Sequence, residues 1–446
     1  MQISSLVTVD TTEAKPAPRP TTHVHGPLQK ALVIGLGVLL AFGVLAFGAV
    51  DAWSTFTFEA GAAVLFLLWV AEQVASGKVT LSKNPLYLPA TLFFVLILAQ
   101  IALGISAYSY VTRYEALHYL AYGIVLLVAA ESVRDESVRK RFALAMLAFG
   151  VAYALFALAQ ELTPNGKIFW FYRPHFHGSI YGSYVNHNHY AGLMEMLAPF
   201  PIVASMGHLL RGGKRALVAF CGVLMGSTIF LSRSRGGMIS FILQLVALAT
   251  LILVQKKNRK AAVGLLAVCV SVLAFLFFIG RWQVLGRLGD LEPGARLNMT
   301  TDCLTMFFHR PLAGWGLGTF PTVYPAYRSF FTNLFINEAH NDYAQLLVET
   351  GLLGIWLMLW FLVILFRRGI PTSRRWEFKW DAALSLAALL GCTGILFHSF
   401  VDFNLQIPAN AALFYALSAL AASELTSRSS RRSQSADTEE VGQMSG

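Results

Sequence analysis

About twelve apolar stretches of roughly 18 residues or more constrain the fold of this 446-residue chain more than any other feature. Each stretch is long enough to cross a hydrocarbon core of about 30 Å as a helix. They lie at roughly 30–50, 57–75, 86–106, 114–131, 141–162, 188–209, 215–232, 237–255, 260–280, 343–366, 381–400 and 406–424. Charged residues make up 13% of the chain, about half of their usual share in soluble domains. The sequence therefore predicts an all-α, polytopic membrane protein with about 12 transmembrane helices.

The distribution of basic residues predicts the orientation, because Lys and Arg are retained preferentially on the cytoplasmic side of a membrane. With the N-terminus inside, most of the 34 Lys and Arg residues fall on cytoplasmic segments. Both termini are then cytoplasmic: residues 1–27 form a disordered leader, 28–425 the membrane domain and 426–446 a disordered tail. The net charge of +10 therefore indicates topology and contact with anionic membrane lipids, and nucleic acid is not an expected partner.

The longest polar interruption, residues 281–342, lies between the ninth and tenth stretches and is predicted to be a long loop outside the membrane. An amphipathic helix is expected to begin near Gly294 and to end near Arg310, before a glycine-rich turn at 311–320. The apolar positions with helical spacing are Leu297, Thr300, Leu304, Phe307 and Phe308. The loop ends near His340, just before a hydrophobic helix, so this histidine is the first candidate for chemistry outside the membrane.

A minority of the arginines is predicted to lie outside, against the insertion bias, and a bound anion would explain them. Arg233 and Arg235 lie in a tight turn before two glycines and the start of a helix, whose N-terminus favours an anion. Arg233 fits snorkelling to lipid phosphates as well as a site role, whereas the position of Arg235 beside the glycines favours a site. Arg296 opens the amphipathic helix of the long loop.

A shorter outside loop, residues 163–187, is rich in aromatic residues and histidines. Two His-x-His pairs, 175/177 and 187/189, raise the possibility of a zinc site, although residues two apart can chelate together only in an extended segment. The alternative is aromatic anchoring at the membrane interface with hydrogen bonds to a polar ligand. Asn186, His187 and Asn188 begin a hydrophobic stretch, a place suited to contact with sugar or phosphate.

Other acidic residues and the cysteines bear on metal binding and on polar pairs. Asp290 and Glu292 are closely spaced, but they lie among Gly and Pro in an expected turn. The four cysteines have no Cys-x-x-Cys spacing, so neither a disulfide framework nor a thiolate metal site is indicated. His398 and Asp402 are four residues apart, hence on one face of a helix, where they could form a polar pair.

Several short motifs occur together in a fixed order. They are NHNHYAGLME at 186–195, SRGG at 234–237, RLNM at 296–299, PLAGWGLGTF at 311–320, HNDYAQLLVETG at 340–351 and HSFVDFNLQIPAN at 398–410. In this order they make the chain resemble the O-antigen ligase and Wzy-type polymerase superfamily over about residues 180–410. The resemblance implies a GT-C-like membrane fold in the bacterial inner membrane with a periplasmic site. It also implies transfer of a glycan from undecaprenyl diphosphate to an acceptor hydroxyl, without a metal or other cofactor.

The resemblance also implies roles for individual residues. Carried over by motif, Arg235 and Arg296 would bind the donor diphosphate, and His340 would act on the acceptor, a glycolipid or a glycan. Guanidinium groups in a cleft of low dielectric can stabilise charge on a diphosphate leaving group, and a neutral imidazole is a suitable general base for a sugar hydroxyl. The predicted site is completed by Arg233 at the diphosphate and by these contacts to the glycan or acceptor: Asn186, His187, His189, Asn341, Asp342 and Asp402.

Transport of a polar anion is the alternative function of a helical bundle with interior arginines. A transporter is expected to show internal repeats and paired broken helices near the midplane. No repeat between the two halves is visible in this sequence, and its polar residues concentrate on one side. An enzyme is therefore favoured, while the sequence does not distinguish ligase from polymerase or identify the sugar.

Overall fold

The computed structural model describes residues 26–174, 178–255, 259, 262–267, 269–270, 293–333 and 335–423. Several predictions lie outside the described residues. They concern most of the leader and nearly all of the tail, most of the ninth apolar stretch, the histidine pair 175/177, and the part of the long loop that holds Asp290 and Glu292.

The described chain is built from helices, and no strand occurs within the ranges just given. The helices are α1 (Pro27–Leu45), α2 (Ala52–Ser76), α3 (Tyr87–Ala102), α4 (Ser109–Ser132), α5 (Glu136–Leu162), α6 (His187–Leu197), α7 (Pro199–Met206), α8 (Gly212–Leu231), α9 (Arg235–Val254), α10 (Pro293–His309), α11 (Phe320–Val323), α12 (Asp342–Thr372), α13 (Trp380–His398) and α14 (Pro408–Ala422). Short 3₁₀ turns occupy Tyr324–Ala326, Ser373–Arg375 and Asn404–Gln406. The all-α prediction is confirmed for this part of the chain.

Seven of the described helices are long and apolar enough to cross a membrane: α1, α2, α5, α8, α9, α12 and α13. Two apolar helices at predicted spans are shorter, α3 with 16 residues and α14 with 15. The chain is thus a multi-pass membrane protein by the length and composition of its helices. The count of twelve spans, the GT-C-like arrangement and the direction of the termini stay predictions.

Helix α13 is the centre of the described bundle and packs against α5, α6, α7, α9, α12 and α14. Small residues let these helices approach closely, as in other membrane bundles: a Cβ on Gly391 would lie 2.7 Å from the Met196 carbonyl oxygen. Gln244 of α9 joins the helices nearby, because its Nε2 donates to the carbonyl oxygens of Glu195 at 2.9 Å and Leu390 at 2.6 Å. Helices α6, α9 and α13 therefore meet at one rigid junction.

Helix α12 is broken at Gly351, whose φ of 62° and ψ of −160° are not helical. The glycine-rich turn of the long loop fills this break, since Leu352 and Leu353 donate their N–H groups to the carbonyl oxygens of Pro311 at 2.8 Å and Leu312 at 3.1 Å. A Cβ at position 351 would lie 2.4 Å from the Leu312 oxygen. Glycine is needed both for this backbone conformation and for the close approach.

The stretch predicted as one span at 188–209 consists of two helices, α6 and α7, which meet at Ala198 and Pro199. Pro199 and Pro201 lack the N–H groups that would continue the helix ladder. The break leaves α6 as a separate short helix of 11 residues, whose first residues are the predicted site residues His187 and His189.

Helix α10 lies where the amphipathic helix was expected, but its buried face differs from the spacing read in the sequence. Leu297, Leu304 and Phe308 are exposed, whereas Met299, Cys303 and Met306 are buried. The buried residues pack in a cluster with Phe320, Tyr324 and Val348. The helix has two apolar faces, and hydrophobic spacing alone cannot tell which of them meets protein.

Candidate active site

The loop from Ser399 to Ile407, which links α13 to α14, is where most of the candidate residues meet. We call it the 399–407 loop. Asp342, the first residue of α12, fixes it at two places: its N–H donates to the Ser399 carbonyl oxygen at 2.9 Å, and its carboxylate accepts from the Leu405 N–H at 3.1 Å. Asp342 is buried, so water does not compete for these bonds. The start of α12 is thereby locked to the loop.

His340, two residues before α12, lies against this loop. Its Nδ1 is 3.7 Å from Asp402 Oδ1, an ion-pair distance longer than a hydrogen bond. The ring of Phe403 packs edge-on against the imidazole, with centroids 4.9 Å apart. The His340 side chain is 21% exposed, and its φ of 51° is rare for a residue other than glycine. The imidazole is thus held by a carboxylate and an aromatic ring and still reaches the surface.

Asp402 is buried to 1% exposure, and both of its carboxylate oxygens have partners. Oδ1 accepts from the Phe403 N–H at 2.8 Å, and Oδ2 accepts from the side-chain amide of Asn188 on α6. Burial acts to raise the pKa of this carboxyl, but the neighbouring imidazoles of His340, His189 and His398 outweigh burial and hold the pKa below its usual value. Asp402 is therefore a fixed negative charge beside His340.

His189 and His340 flank the same aromatic ring, since Phe403 also packs edge-on against His189 at 4.8 Å between centroids. His189 is buried and lies 3.5 Å from the amide of Asn186, measured from Nε2 to Nδ2. Asn186 caps α6, because its Oδ1 accepts from the Asn188 N–H at 2.9 Å. The start of α6 is therefore anchored to the 399–407 loop by packing and by the bond from Asn188 to Asp402.

Helix α9 brings its N-terminus to the same place through two glycines. A Cβ on Gly236 would lie 2.8 Å from Nε2 of His398 and 2.9 Å from Cγ2 of Val401. A Cβ on Gly237 would lie 2.6 Å from the Cβ of Ala191 on α6. Only glycine permits this approach of α9 to α6 and α13, and it brings the backbone of Arg235 beside the 399–407 loop.

The sequence left open a polar pair of His398 with Asp402, but the hydrogen bond of His398 is to Glu195 on α6. His398 Nδ1 lies 3.0 Å from Oε1 of Glu195, and both side chains are fully buried. Helix α13 ends at His398, and the Asp402 N–H still donates to the His398 carbonyl oxygen at 3.1 Å. The Asp402 carboxylate, however, is bonded to the Phe403 N–H and to Asn188. Within the described ranges, His398 Nε2 and Glu195 Oε2 have no hydrogen-bond partner.

The three predicted arginines occupy different surroundings. Arg235 is exposed at the first residue of α9, and no ion pair joins it to an acid in the described part of the chain. Arg233, with a φ of 64°, pairs with Glu161 of α5 at 3.1 Å, and 66% of its side chain is exposed. Arg296 on α10 is exposed and donates from Nη1 to the Val401 carbonyl oxygen at 2.9 Å. Arg296 therefore reaches the 399–407 loop next to Asp402.

The remaining predicted residues divide into two groups. His187 is half-buried and lies within electrostatic reach of Asp402, Arg233 and Arg296. Asn341 faces the protein instead, because its Oδ1 caps α12 by accepting from the N–H groups of Tyr343 at 3.1 Å and Ala344 at 3.0 Å. Backbone N–H groups thus donate to the side-chain oxygens of Asn186, Asn341 and Asp342.

Metal binding was left open by the two histidine pairs. His187 and His189 lie on the first turn of α6, and in the residues that the structure describes no three His, Cys, Asp or Glu side chains are grouped to hold a metal ion. Metal independence remains a prediction for experiment.

Two site residues were not assigned a role from the sequence: Glu195 and Phe403. Glu195 carried a usable signal, because a lone acid inside an apolar stretch marks a polar partner or a function. Phe403 carried none, since its contact with His189 joins segments more than 200 residues apart. Asn188 was expected to contact sugar or phosphate, and its bond to Asp402 was not predicted for the same reason.

Residues 220–359 match the model of a family described as O-antigen ligase. The matched segment begins in α8 and ends in α12, so it includes Arg235, Arg296 and His340, while α6 and the 399–407 loop lie outside it. A search of curated proteins found no match. The resemblance inferred from the motifs is thereby confirmed for residues 220–359 of this multi-pass membrane protein, which are similar to the O-antigen ligase family.

Proposed function

We propose that this protein is a membrane glycosyltransferase that moves a glycan from undecaprenyl diphosphate to an acceptor hydroxyl on the periplasmic side of the bacterial inner membrane. The acceptor is a glycolipid or another glycan, so the enzyme acts as an O-antigen ligase or as a polysaccharide polymerase. The observation that carries the proposal is the approach of His340 and Arg296, both in the family-matched segment, to the 399–407 loop beside Asp402.

His340 is the proposed general base. The carboxylate of Asp402, 3.7 Å from Nδ1, favours the tautomer that carries its proton on Nδ1 and leaves a lone pair on Nε2. The acceptor hydroxyl gives its proton to Nε2 as its oxygen attacks the anomeric carbon of the donor sugar. The fixed charge of Asp402 then stabilises the imidazolium, so Asp402 is a positioning residue.

Arg235 and Arg296 are the proposed diphosphate ligands. Arg235 begins α9, whose first N–H groups also favour an anion. Arg296 uses one of its five N–H groups on Val401, and the other four remain for phosphate oxygens. Negative charge gathers on the diphosphate as the bond from its oxygen to the sugar breaks, so both guanidiniums stabilise the transition state more than the bound donor. In this proposal the two guanidiniums stabilise the negative charge that a metal ion stabilises in other enzymes.

The other site residues are proposed to shape the cleft. Asn186, Asn341 and Asp342 keep α6 and α12 in register with the 399–407 loop, because their side chains bond to backbone groups. His187 is the proposed contact to the glycan or acceptor. Arg233 adds positive charge near the diphosphate from its pair with Glu161.

Deletion of the gene, followed by analysis of surface glycans, tests the function as a whole. Loss of long chains on the lipid carrier would identify a polymerase, and long chains that accumulate unattached would identify a ligase. Unchanged glycans together with reduced anion uptake would contradict the proposal and favour transport.

Purified variants test the assignment of the base. His340→Ala is expected to lower turnover about 10²- to 10⁴-fold while donor binding persists, because the arginines are untouched. His309→Ala is the control, since His309 is an exposed histidine of the same loop, and its Nδ1 lies 2.9 Å from the carbonyl oxygen of Thr305. Normal turnover by folded His340→Ala would show that another group is the base.

A further inference from the structure

A cavity lies at the C-terminal end of α5, lined by residues from 157–167 and 178–182. Its volume is about 210 Å³. The residues that line it with polar groups are Gln160, Glu161, Asn165, Lys167, Tyr181 and Gly182. Glu161 also pairs with Arg233 at 3.1 Å, so one ion pair connects the wall of this cavity to the turn that carries Arg235.

The wall of the cavity is held in place by internal hydrogen bonds. Gln160 donates from Nε2 to the Gly182 carbonyl oxygen at 2.7 Å and accepts at Oε1 from the Phe169 N–H at 2.9 Å. Asn165 accepts from the Lys167 N–H at 3.0 Å and donates to the Trp170 carbonyl oxygen at 2.8 Å. The two amide side chains are thus occupied, and the cavity keeps its shape without a ligand.

One buried polar group on this wall is left without a partner. Tyr181 is 3% exposed, and its hydroxyl has no hydrogen-bond partner among the described residues. The ring is fixed edge-on against Tyr190 at 4.6 Å between centroids, and the hydroxyl lies within electrostatic reach of Glu161 and Arg233. A buried hydroxyl without a partner is costly, so a group that enters the cavity is expected to bond to it.

The chemistry of the wall selects the kind of ligand. The lining mixes polar groups with apolar ones such as Ala157, Pro164 and Ile180. A simple anion or cation is disfavoured because Glu161 and Lys167, which carry opposite charges, both line the cavity. A single water needs only about 10–15 Å³ of this kind of space, so a cavity of about 210 Å³ has room for a group much larger than a water. Hydroxyl groups, which both donate and accept, match Tyr181, Lys167 and Glu161.

We propose that this cavity is a saccharide subsite that binds one sugar ring of the glycan away from the bond that reacts. The proposal rests on the proposed function for the identity of that glycan. Binding energy gained at a remote sugar can align the reacting sugar with Arg235 and His340. The subsite therefore raises kcat/KM for substrates that carry this sugar.

The experiment measures saccharide binding by the purified full-length protein in nanodiscs. The probe is the repeat-unit oligosaccharide released by mild acid from the lipid-linked glycan of the host strain, observed by saturation-transfer NMR and titration calorimetry. Tyr181→Phe and Lys167→Met are each expected to raise the dissociation constant about 3- to 10-fold, the effect of one hydrogen bond. Tyr110→Phe, at a tyrosine that is 69% exposed outside the cavity, is the matched control and should bind as the unmodified protein does.

The outcomes separate this proposal from the function on which it rests. Absence of oligosaccharide binding by the unmodified protein overturns the subsite, as does unchanged binding by both variants, even if glycan transfer occurs. Binding that depends on Tyr181 in a protein without transferase activity supports the subsite and contradicts the proposed function. If Tyr181→Phe fails to fold, Lys167→Met decides, because Lys167 is exposed.

Discussion

Replacement of Asp402 by Asn removes one charge from the candidate site and keeps the size of the side chain. Both carboxylate oxygens face N–H donors, one from the Phe403 backbone at 2.8 Å and one from the Asn188 side chain. An asparagine has one oxygen and one NH₂ group, so either orientation leaves two donors facing each other. The variant therefore loses a hydrogen bond in a place where water cannot replace it.

The effects of Asp402→Asn on stability and on turnover both follow from this geometry. An unsatisfied buried donor costs about 1–3 kcal/mol in the free energy of unfolding. The effect on the reaction is expected to be larger, because His340 loses the charge that fixes its tautomer and stabilises the imidazolium. The same change in a Ser-His-Asp triad lowers turnover about 10⁴-fold. Since Nδ1 and Oδ1 are 3.7 Å apart here, beyond hydrogen-bond distance, we expect a loss of about 10²- to 10³-fold.

The assay is the initial rate of glycan transfer by purified protein in nanodiscs, with thermal unfolding measured in parallel. The double variant Asn188→Asp with Asp402→Asn exchanges the acid and the amide, so it should recover much of the lost stability while turnover stays low. Turnover of folded Asp402→Asn within about threefold of the unmodified protein would refute the role of Asp402. Recovery of turnover in the double variant would show that pairing with Asn188, and not charge beside His340, is what matters.

Four further predictions test other parts of the site and the topology. Gly236→Ala should lower turnover about tenfold, because its Cβ would lie 2.8 Å from the nearest side chain and must displace the start of α9. Gly123→Ala, with no atom within 4 Å of its Cβ, is the matched control. Equal turnover of the two variants would contradict the packing argument. Arg296→Lys should lower kcat/KM roughly 10- to 100-fold, since lysine lacks the planar fork, and normal kinetics would remove Arg296 from the diphosphate site. Transfer should survive EDTA, whereas a loss that a divalent cation restores would require a metal. Cysteines introduced at the exposed positions Ser329 and Val79 should react with an impermeant maleimide from opposite sides of the membrane, since all four native cysteines are buried; reaction from one side would refute the predicted orientation.

The sequence predicted the helices well because membrane-spanning helices can be recognised by their length and hydrophobicity. Apolar runs led to α1, α2, α5, α8, α9, α12 and α13 within several residues. It did not predict the break of α12 at Gly351, since the turn that fills this break comes from 40 residues earlier in the chain. The direction in which α10 packs was also missed, because both of its faces are apolar.

The candidate site was predictable where a residue type is unusual for its place. His340 beside a membrane helix and the arginines outside the membrane were singled out in this way. The contact of Asn188 with Asp402 and the pair of Glu195 with His398 were not, because each joins segments about 200 residues apart. Spacing within one helix offered Asp402 as a possible partner for His398, whose hydrogen bond is to Glu195 of another helix.

The two apolar faces of α10 have a consequence for how this protein must be handled. Met299, Cys303 and Met306 attach the helix to protein, and Leu297, Leu304 and Phe308 remain exposed. An amphipathic helix with such an exposed face rests in the interface of a lipid bilayer. We therefore expect lipid to hold Arg296 at the level of the headgroups, the depth at which the proposed lipid-linked diphosphate would arrive. Protein in a detergent micelle, which offers no flat interface, is expected to unfold at its normal temperature and still to lose activity until lipid is restored.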